Sequence, residues 1–129
     1  MRSLHLWLMG ALAVASCASK PVHITADRCW SVSVGDKVEG TAILIAYAGN
    51  MCIECGASVR ARNCPAVGFS TADDAVDQAY DRIVHSEPAS NLGFVQRVVF
   101  LSGEVIPNGA TGKPMIRAIQ LRVARADDS

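Results

Sequence analysis

The stretch FVQRVVFLSGEVIPNGATGKPMIRAIQLRVAR (residues 94–125) decides the fold. Residues 94–106 are apolar and rich in β-branched side chains, which predicts a long strand, and Gly103 would let that strand bend. Residues 107–114 contain the Pro, Asn and Gly typical of a hairpin loop. Residues 115–125 alternate in polarity and predict a second strand. The residues expected on one face of that strand are Arg117, Ile119, Leu121 and Val123.

Before this hairpin, over residues 72–83, the apolar residues recur at the spacing of a helix rather than that of a strand. Thr71 is expected to cap the helix, because its hydroxyl can accept a hydrogen bond from a free N–H of the first turn. One apolar stripe is predicted to face the core. Its members are Ala72, Val76, Ala79, Tyr80 and Ile83.

Three further strands are predicted before the helix, over residues 38–47, 51–58 and 66–69. Gly40 interrupts the first of them and suggests a bulge. The polar residues 60–63 are expected to form a connection rather than a strand. The chain is therefore predicted to be mainly β with one helix, in the order β-β-β-α-β-β.

This order resembles that of the OB-fold, a five-stranded Greek-key barrel whose helix lies between its third and fourth strands. The resemblance is topological and spans residues 36–125. A small α+β sandwich is the alternative. In barrels of this kind, the loop that here contains Arg60 and Arg62 often meets the ligand. The resemblance therefore makes these two arginines candidate ligand-binding residues, although a solvated loop explains them equally well.

Residues 1–17, MRSLHLWLMGALAVASC, have the pattern of an export signal. A single arginine precedes an apolar run of about ten residues, which is too short to span a bilayer. The tetrapeptide at 14–17 resembles the lipobox of bacterial lipoproteins. That resemblance implies cleavage before Cys17 and attachment of acyl chains to it. The A-x-A motif at 13–15 leaves ordinary secretion as the alternative.

The predicted division of the chain is a signal peptide over 1–16, a lipidated tether over 17–28 and one OB-like domain over 29–129. The lipoprotein resemblance implies a place in the bacterial cell envelope, facing the periplasm, and Ala18 favours the outer membrane. The expected partner is the membrane, through the lipid, with an envelope protein as a further candidate.

The charges of the chain balance, with 12 Lys and Arg against 12 Asp and Glu. A neutral chain lacks the electrostatic footprint of a nucleic-acid-binding protein. The sequence also shows no run of basic residues suited to anionic lipid. We therefore expect no nucleic acid partner, and the pattern suggests neither a cofactor nor an enzyme.

Five cysteines are present, at positions 17, 29, 52, 55 and 64. If Cys17 carries lipid, an even set of four remains, and an oxidising compartment favours disulfides between them. A hairpin turning near residue 60 would bring Cys55 opposite Cys64 at a distance that a disulfide can bridge. The expected pairs are Cys55–Cys64 and Cys29–Cys52.

The motif Cys52-Ile-Glu-Cys55 leaves three alternatives open. It could serve a periplasmic thiol oxidoreductase, although no βαβ pattern surrounds it. With Cys29 and Cys64 it could form a zinc site, although a second Cys-x-x-Cys is missing. An iron–sulfur site is the third alternative. The favoured hypothesis is a lipid-anchored, disulfide-stabilised binding or structural module.

Overall fold

The computed structural model of the chain describes residues 20–47, 56–86 and 93–128. These residues form a mixed sheet of six strands, one α-helix and a short 3₁₀ helix, as predicted for a mainly β domain. Within them, no helix is both long and apolar enough to cross a membrane. The elements are β1 (Val22–Ile24), β2 (Lys37–Tyr47), β3 (Ser58–Arg60), β4 (Val67–Thr71), α1 (Asp74–Ser86), β5 (Phe94–Pro107), β6 (Pro114–Val123) and the 3₁₀ helix (Ala126–Asp128).

Strand β2 closes the sheet into a barrel. One of its edges pairs with β5 along its whole length, from Lys37 opposite Glu104 to Tyr47 opposite Phe94. Its other edge pairs with β1 in the first half and with β3 in the second half. The ring continues from β3 to β4, then in parallel to β6, and returns to β5. This is the OB-like strand order, and α1 lies between the third and fourth barrel strands as predicted.

The barrel interior is filled by side chains that alternate along the strands, as period-two polarity requires. The largest fully buried ones are Ile24, Leu44, Leu101, Ile116, Val38, Val59, Val99 and Val105. Burial of each such side chain stabilises the fold by about 1.5–3 kcal/mol. Helix α1 adds Val76 and Ile83 to this core, and the Tyr80 ring stacks on Phe69 at 5.9 Å. Val76, Tyr80 and Ile83 of the predicted stripe thus face the core, whereas Ala72 precedes the helix.

Asp73, rather than Thr71, caps the helix. Its carboxylate accepts a hydrogen bond from the Val76 N–H at 3.0 Å, the geometry of an N-cap. Thr71 is the last residue of β4, paired with Ala118, and its hydroxyl donates to the Asp77 carboxylate at 3.2 Å. The predicted cap was wrong by two residues because the strand extends further than its apolar run.

A β-bulge in β6 overturns part of the predicted face of that strand. Gly103 lies opposite Ala118 and Ser102 opposite Gln120, so Ile119 has no direct partner. This extra residue reverses the alternation, and Ile119 is 54% exposed. Gly103, where a bend of β5 was predicted, lies opposite this bulge. A Cβ at that glycine would lie 2.3 Å from the carbonyl oxygen of Arg117.

The bulge decides which residues of β6 face the core. Ile116 and Ala118 are fully buried before it, whereas Leu121 and Val123 pack against the core after it. Placing Ile119 on the same face as Leu121 and Val123 was therefore wrong. Alternation of polarity predicts which side chains face the core only up to the first extra residue in the strand.

The N-terminal boundary of the domain also differs from the prediction. Residues 17–28 were expected to be a tether, but Val22–Ile24 forms a strand parallel to β2, and Ile24 is completely buried. The domain therefore begins at Val22. Arg60, expected in a connection, lies in β3. The predicted strand at 51–58 overlaps β3 at Ser58 alone, and residues 51–55 lie outside the described part of the chain.

The buried hydroxyl of Thr41 holds the segment that follows β1. It accepts a hydrogen bond from the Ala26 N–H at 3.0 Å, and Thr41 is only 5% exposed.

The T41V variant leaves the Ala26 N–H buried without a partner. We expect it to lower the free energy of unfolding by about 1–3 kcal/mol. In the control T111V, the lost bond to the Lys113 N–H is exposed and water replaces it. Urea denaturation of both variants measures the difference, and equal losses would contradict the prediction.

Asp128 holds the 3₁₀ helix against the end of β6. Its carboxylate accepts two hydrogen bonds of 2.8 Å from the Arg122 guanidinium, and one from the Arg125 N–H. These bonds lower the pKa of Asp128 to about 2. Because the folded pKa lies below the unfolded value, the stabilisation is complete above about pH 4 and is lost as the pH falls toward 2.

We therefore expect D128N to remove part of the loss of stability that the native protein shows between pH 4 and pH 2. Thermal unfolding measured across this range provides the test. D127N is the matched control, because Asp127 is the neighbouring carboxylate and makes no such pair of bonds with Arg122. An identical acid profile for D128N and the native chain would contradict the assignment.

Candidate functional site

The structure joins Cys29 to Cys64 in a disulfide, with the two Cα atoms 5.6 Å apart. The expected pairs, Cys55–Cys64 and Cys29–Cys52, are therefore not those of this structure. The reason is the docking of β1, which the sequence did not reveal and which carries the following segment back across the barrel. Cys17, Cys52 and Cys55 lie outside the described residues.

Backbone hydrogen bonds place the two cysteines beside each other. The N–H of Arg62, just past β3, donates to the carbonyl of Ala26 at 2.7 Å. This contact aligns the chain after β1 with the β3–β4 connection, so that Cys29 and Cys64 meet. The bridge also uses two of the sulfurs required for the four-sulfur zinc alternative. Because a disulfide sulfur is not a thiolate, that site cannot form while the bridge is intact.

A groove of about 420 Å³ opens immediately beyond the disulfide. Its first wall is formed by residues 30–32, which follow Cys29. Its second wall is formed by residues 65–68, which follow Cys64. The third wall comes from the hairpin loop between β5 and β6. We call this the Trp30 groove. The disulfide joins the first two walls at their bases and so fixes the distance between them.

The chemistry of the Trp30 groove is mostly apolar. Trp30 and Val32 are partly buried and pack against the core, and Pro65 and Pro114 line the opposite sides. Lys113 is the one charged residue among its lining side chains. The indole N–H of Trp30 is buried and has no hydrogen-bond partner among the described residues. An apolar cleft with a few polar groups is typical of a ligand site.

The groove also fits the barrel type. In OB-folds, the loop between the fourth and fifth strands contributes to the ligand surface. The corresponding loop here is the β5–β6 hairpin loop, which forms the third wall. The sequence analysis missed this site because its three walls are distant in the chain. Trp30 has no periodic neighbours in the sequence, and only its position next to a disulfide cysteine could have indicated the site.

The two predicted ligand-binding arginines occupy different environments, and neither lines the Trp30 groove. Arg60 lies in β3 opposite Ile43, and its Nε is buried without a hydrogen-bond partner among the described residues. The Arg62 guanidinium lies 3.8 Å from the Asp27 carboxylate. Both of these side chains are more than half exposed, and such a pair contributes little to stability.

Arg62 also lines a smaller cavity of about 180 Å³ on the outer face of β2 and β5. Arg97 and Gln96 share this cavity with it, while Arg60 does not. The structure thus brings Arg62 together with Arg97 rather than with its predicted companion. In the part of the chain that the structure describes, no three His, Cys, Asp or Glu residues lie close enough to hold a metal.

Comparison of the chain with models of known protein families, with curated proteins and with solved structures finds no match.

Proposed function

We propose that this chain is a lipid-anchored binding module of the bacterial cell envelope, and that its ligand occupies the Trp30 groove. The observation that carries the proposal is the Cys29–Cys64 disulfide, which joins two walls of the groove. Disulfides persist in exported proteins and are rare in the reducing cytosol. The lipobox-like tetrapeptide ending at Cys17 supports export and supplies the anchor.

The lining of the groove suggests the chemistry of the ligand. The indole of Trp30 and the prolines offer an apolar surface, and Lys113 adds a positive charge at one side. The groove therefore suits a small molecule or peptide end that combines an apolar group with a negative charge.

The anchor is tested by mass spectrometry of the protein purified from membranes. A digest made without reduction should yield a Cys17 peptide carrying acyl chains and a peptide pair joined through Cys29 and Cys64. The C17S variant should move from the membrane fraction to a soluble fraction. An unmodified Cys17 in membrane-free native protein would contradict the proposal.

The groove is tested with 8-anilinonaphthalene-1-sulfonate, an apolar anion. We expect one saturable site that weakens several-fold in W30A and in K113Q. K37Q is the matched control, because it removes a lysine outside the groove. Equal weakening by K37Q and K113Q would show that general charge, rather than the groove, holds the probe.

The disulfide also favours a second candidate, the thiol oxidoreductase. With Cys29 and Cys64 joined, Cys52 and Cys55 have only each other as partners once Cys17 carries lipid. These two cysteines lie outside the described residues, so the test is chemical. Titration of free thiols after mild reduction, followed by an insulin-reduction assay, should show activity that C52S loses and C29S/C64S retains. If Cys52 and Cys55 show neither reactive thiols nor insulin reduction, the oxidoreductase function is ruled out.

A further inference from the structure

We infer that one end of the barrel is a docking surface for a bilayer of anionic phospholipid. This end carries Lys20, Lys37 and Lys113, which are all the lysines of the chain. We call it the lysine end. The inference rests on the proposed lipid anchor at Cys17 and adds to it the orientation that the domain takes on the membrane.

Strand register brings the three lysines to the same end. Strands β1 and β2 are parallel, with Val22 opposite Val38, so Lys20 and Lys37 both stand where these strands begin. Lys37 in turn lies opposite Glu104 of β5. From Glu104, strand β5 continues past the start of β2 to Pro107, which pairs with Pro114, and Lys113 is the neighbour of Pro114. All three lysines are exposed.

The lysines of the lysine end make no ion pairs within residues 20–47, 56–86 and 93–128. Of the two nearest acids in the register, Glu104 is neutralised by Arg117. The Asp36 carboxylate accepts a hydrogen bond from the Ser33 N–H at 2.9 Å and keeps its negative charge, so it offsets one of the three positive charges. Surface lysines of this kind are attracted to anionic headgroups.

The helix differs from the lysine end in charge, because its first turns are acidic. Strand β4 begins near the lysine end, with Gly68 opposite Met115, and runs away from it to Thr71 opposite Ala118. Helix α1 follows β4 and carries acids in its first turns, Asp74 and Asp77. An anionic surface would therefore attract the lysine end and repel the helix.

The lysine end also presents apolar surface between its charges. Val34 is 50% exposed, and the adjacent Gly35 donates a backbone hydrogen bond to Val105 at 2.9 Å, close to the β5–β6 hairpin loop. Lysine stems and a valine side chain together suit the boundary between headgroups and acyl chains. The surface thus matches the membrane in charge and in polarity.

The length of chain between anchor and domain requires the same orientation. Only five residue steps separate Cys17 from Val22, the first residue of β1. Such a segment spans at most about 18 Å, even when fully extended. A domain of about 100 residues has a radius of gyration of about 13 Å, so this reach cannot carry the chain around to the far side. The end at which β1 begins must face the bilayer.

Amine footprinting of the lipidated protein tests this orientation. The protein is reconstituted in vesicles of phosphatidylglycerol and phosphatidylcholine, treated with an acylating reagent and digested for mass spectrometry. We expect Lys37 and Lys113 to react several-fold more slowly than in detergent. The R82K variant supplies the internal control, because Arg82 is exposed on α1 and the amine introduced there should stay fully reactive.

The same digest separates the possible failures. A lipidated Cys17 with Lys37 and Lys113 as reactive as the amine of R82K would overturn the orientation and leave the anchor standing. An unlipidated Cys17 would overturn both.

Binding of the C17S protein to the same vesicles provides a second measurement. Each lysine near an anionic surface contributes about 1 kcal/mol, or about fivefold in the partition constant. We therefore expect K37Q/K113Q to weaken binding about 25-fold, and replacing phosphatidylglycerol by phosphatidylcholine to cost this variant only about a further fivefold, from the remaining Lys20. R82Q, which removes one charge from the far side, should have almost no effect. Equal losses in these two variants would overturn the proposal.

Discussion

A C29S/C64S variant is expected to lose about 4 kcal/mol of unfolding free energy, one of the two largest effects expected for this chain. The disulfide closes a loop whose ends are 35 residues apart in sequence. Cross-linking a loop of this length restricts the unfolded chain and stabilises the folded state by about 4 kcal/mol. Guanidinium denaturation of the native and variant proteins measures the change. For a small domain, a loss of this size removes a large part of its total stability.

The matched control is C52S/C55S. If Cys29 and Cys64 pair with each other, removing the other two cysteines leaves the long loop closed, and we expect much the smaller loss. If instead Cys55 paired with Cys64 and Cys29 with Cys52, both double variants would break the same two bridges and would be equally unstable. Equal losses would therefore show that the bridge in the structure is not the one in solution.

The second large effect is expected from G40A. Gly40 has a φ of 145°, a backbone conformation that residues with a side chain rarely adopt, and Ile24 of β1 lies opposite it in the sheet. A Cβ built there would lie 1.9 Å from the carbonyl oxygen of Ile24. The strained backbone costs about 1–3 kcal/mol. Displacement of the buried Ile24 costs about 1.5–3 kcal/mol more. We expect a total loss of about 2.5–6 kcal/mol.

G109A is the control for this prediction. A Cβ at Gly109 meets no atom within 4 Å, and its φ is not in the left-handed region. We expect G109A to change stability by less than about 0.5 kcal/mol. Hydrogen exchange adds a readout specific to the mechanism, because G40A should expose the amides of β1 before those of β5. A G40A protein as stable as G109A would contradict the close approach of the two strands.

The role of Gly40 shows where sequence patterns stop. The interruption of the apolar run at Gly40 predicted a bulge, whereas β2 pairs with β5 without a break and the glycine instead admits another strand. A three-residue strand such as β1 has too few residues to show a period. The sequence therefore showed the glycine at position 40, but it did not show that the glycine makes room for β1.

The long elements were predictable because each has a strong local pattern. Helix α1 follows from its apolar period and strands β2 and β5 from long apolar runs rich in β-branched residues, and their order was sufficient to indicate the barrel. Ile119 shows the opposite case, since a single extra residue in β6 changed which side chains face inward. A bulge depends on the partner strand, so one strand alone does not reveal it.

The candidate site was less predictable than the fold. The Trp30 groove and the lysine end each combine segments from distant parts of the chain. Lys20, Lys37 and Lys113 form no cluster in the sequence, and only the strand register brings them to one end. The cysteine pairing failed for the same reason, because it depends on where β1 docks.

The closure of the barrel by β2 and β5 has a consequence for the order of events during biogenesis. The 11 residues of β2 gain their longest partner only when Phe94–Pro107 has been delivered, near the end of the chain. Topologies dominated by such distant pairings fold slowly, typically in milliseconds to seconds. Under the export proposed for this chain, such slow folding would keep the polypeptide unfolded while it is threaded through a translocation channel, and it would acquire its final shape on the far side.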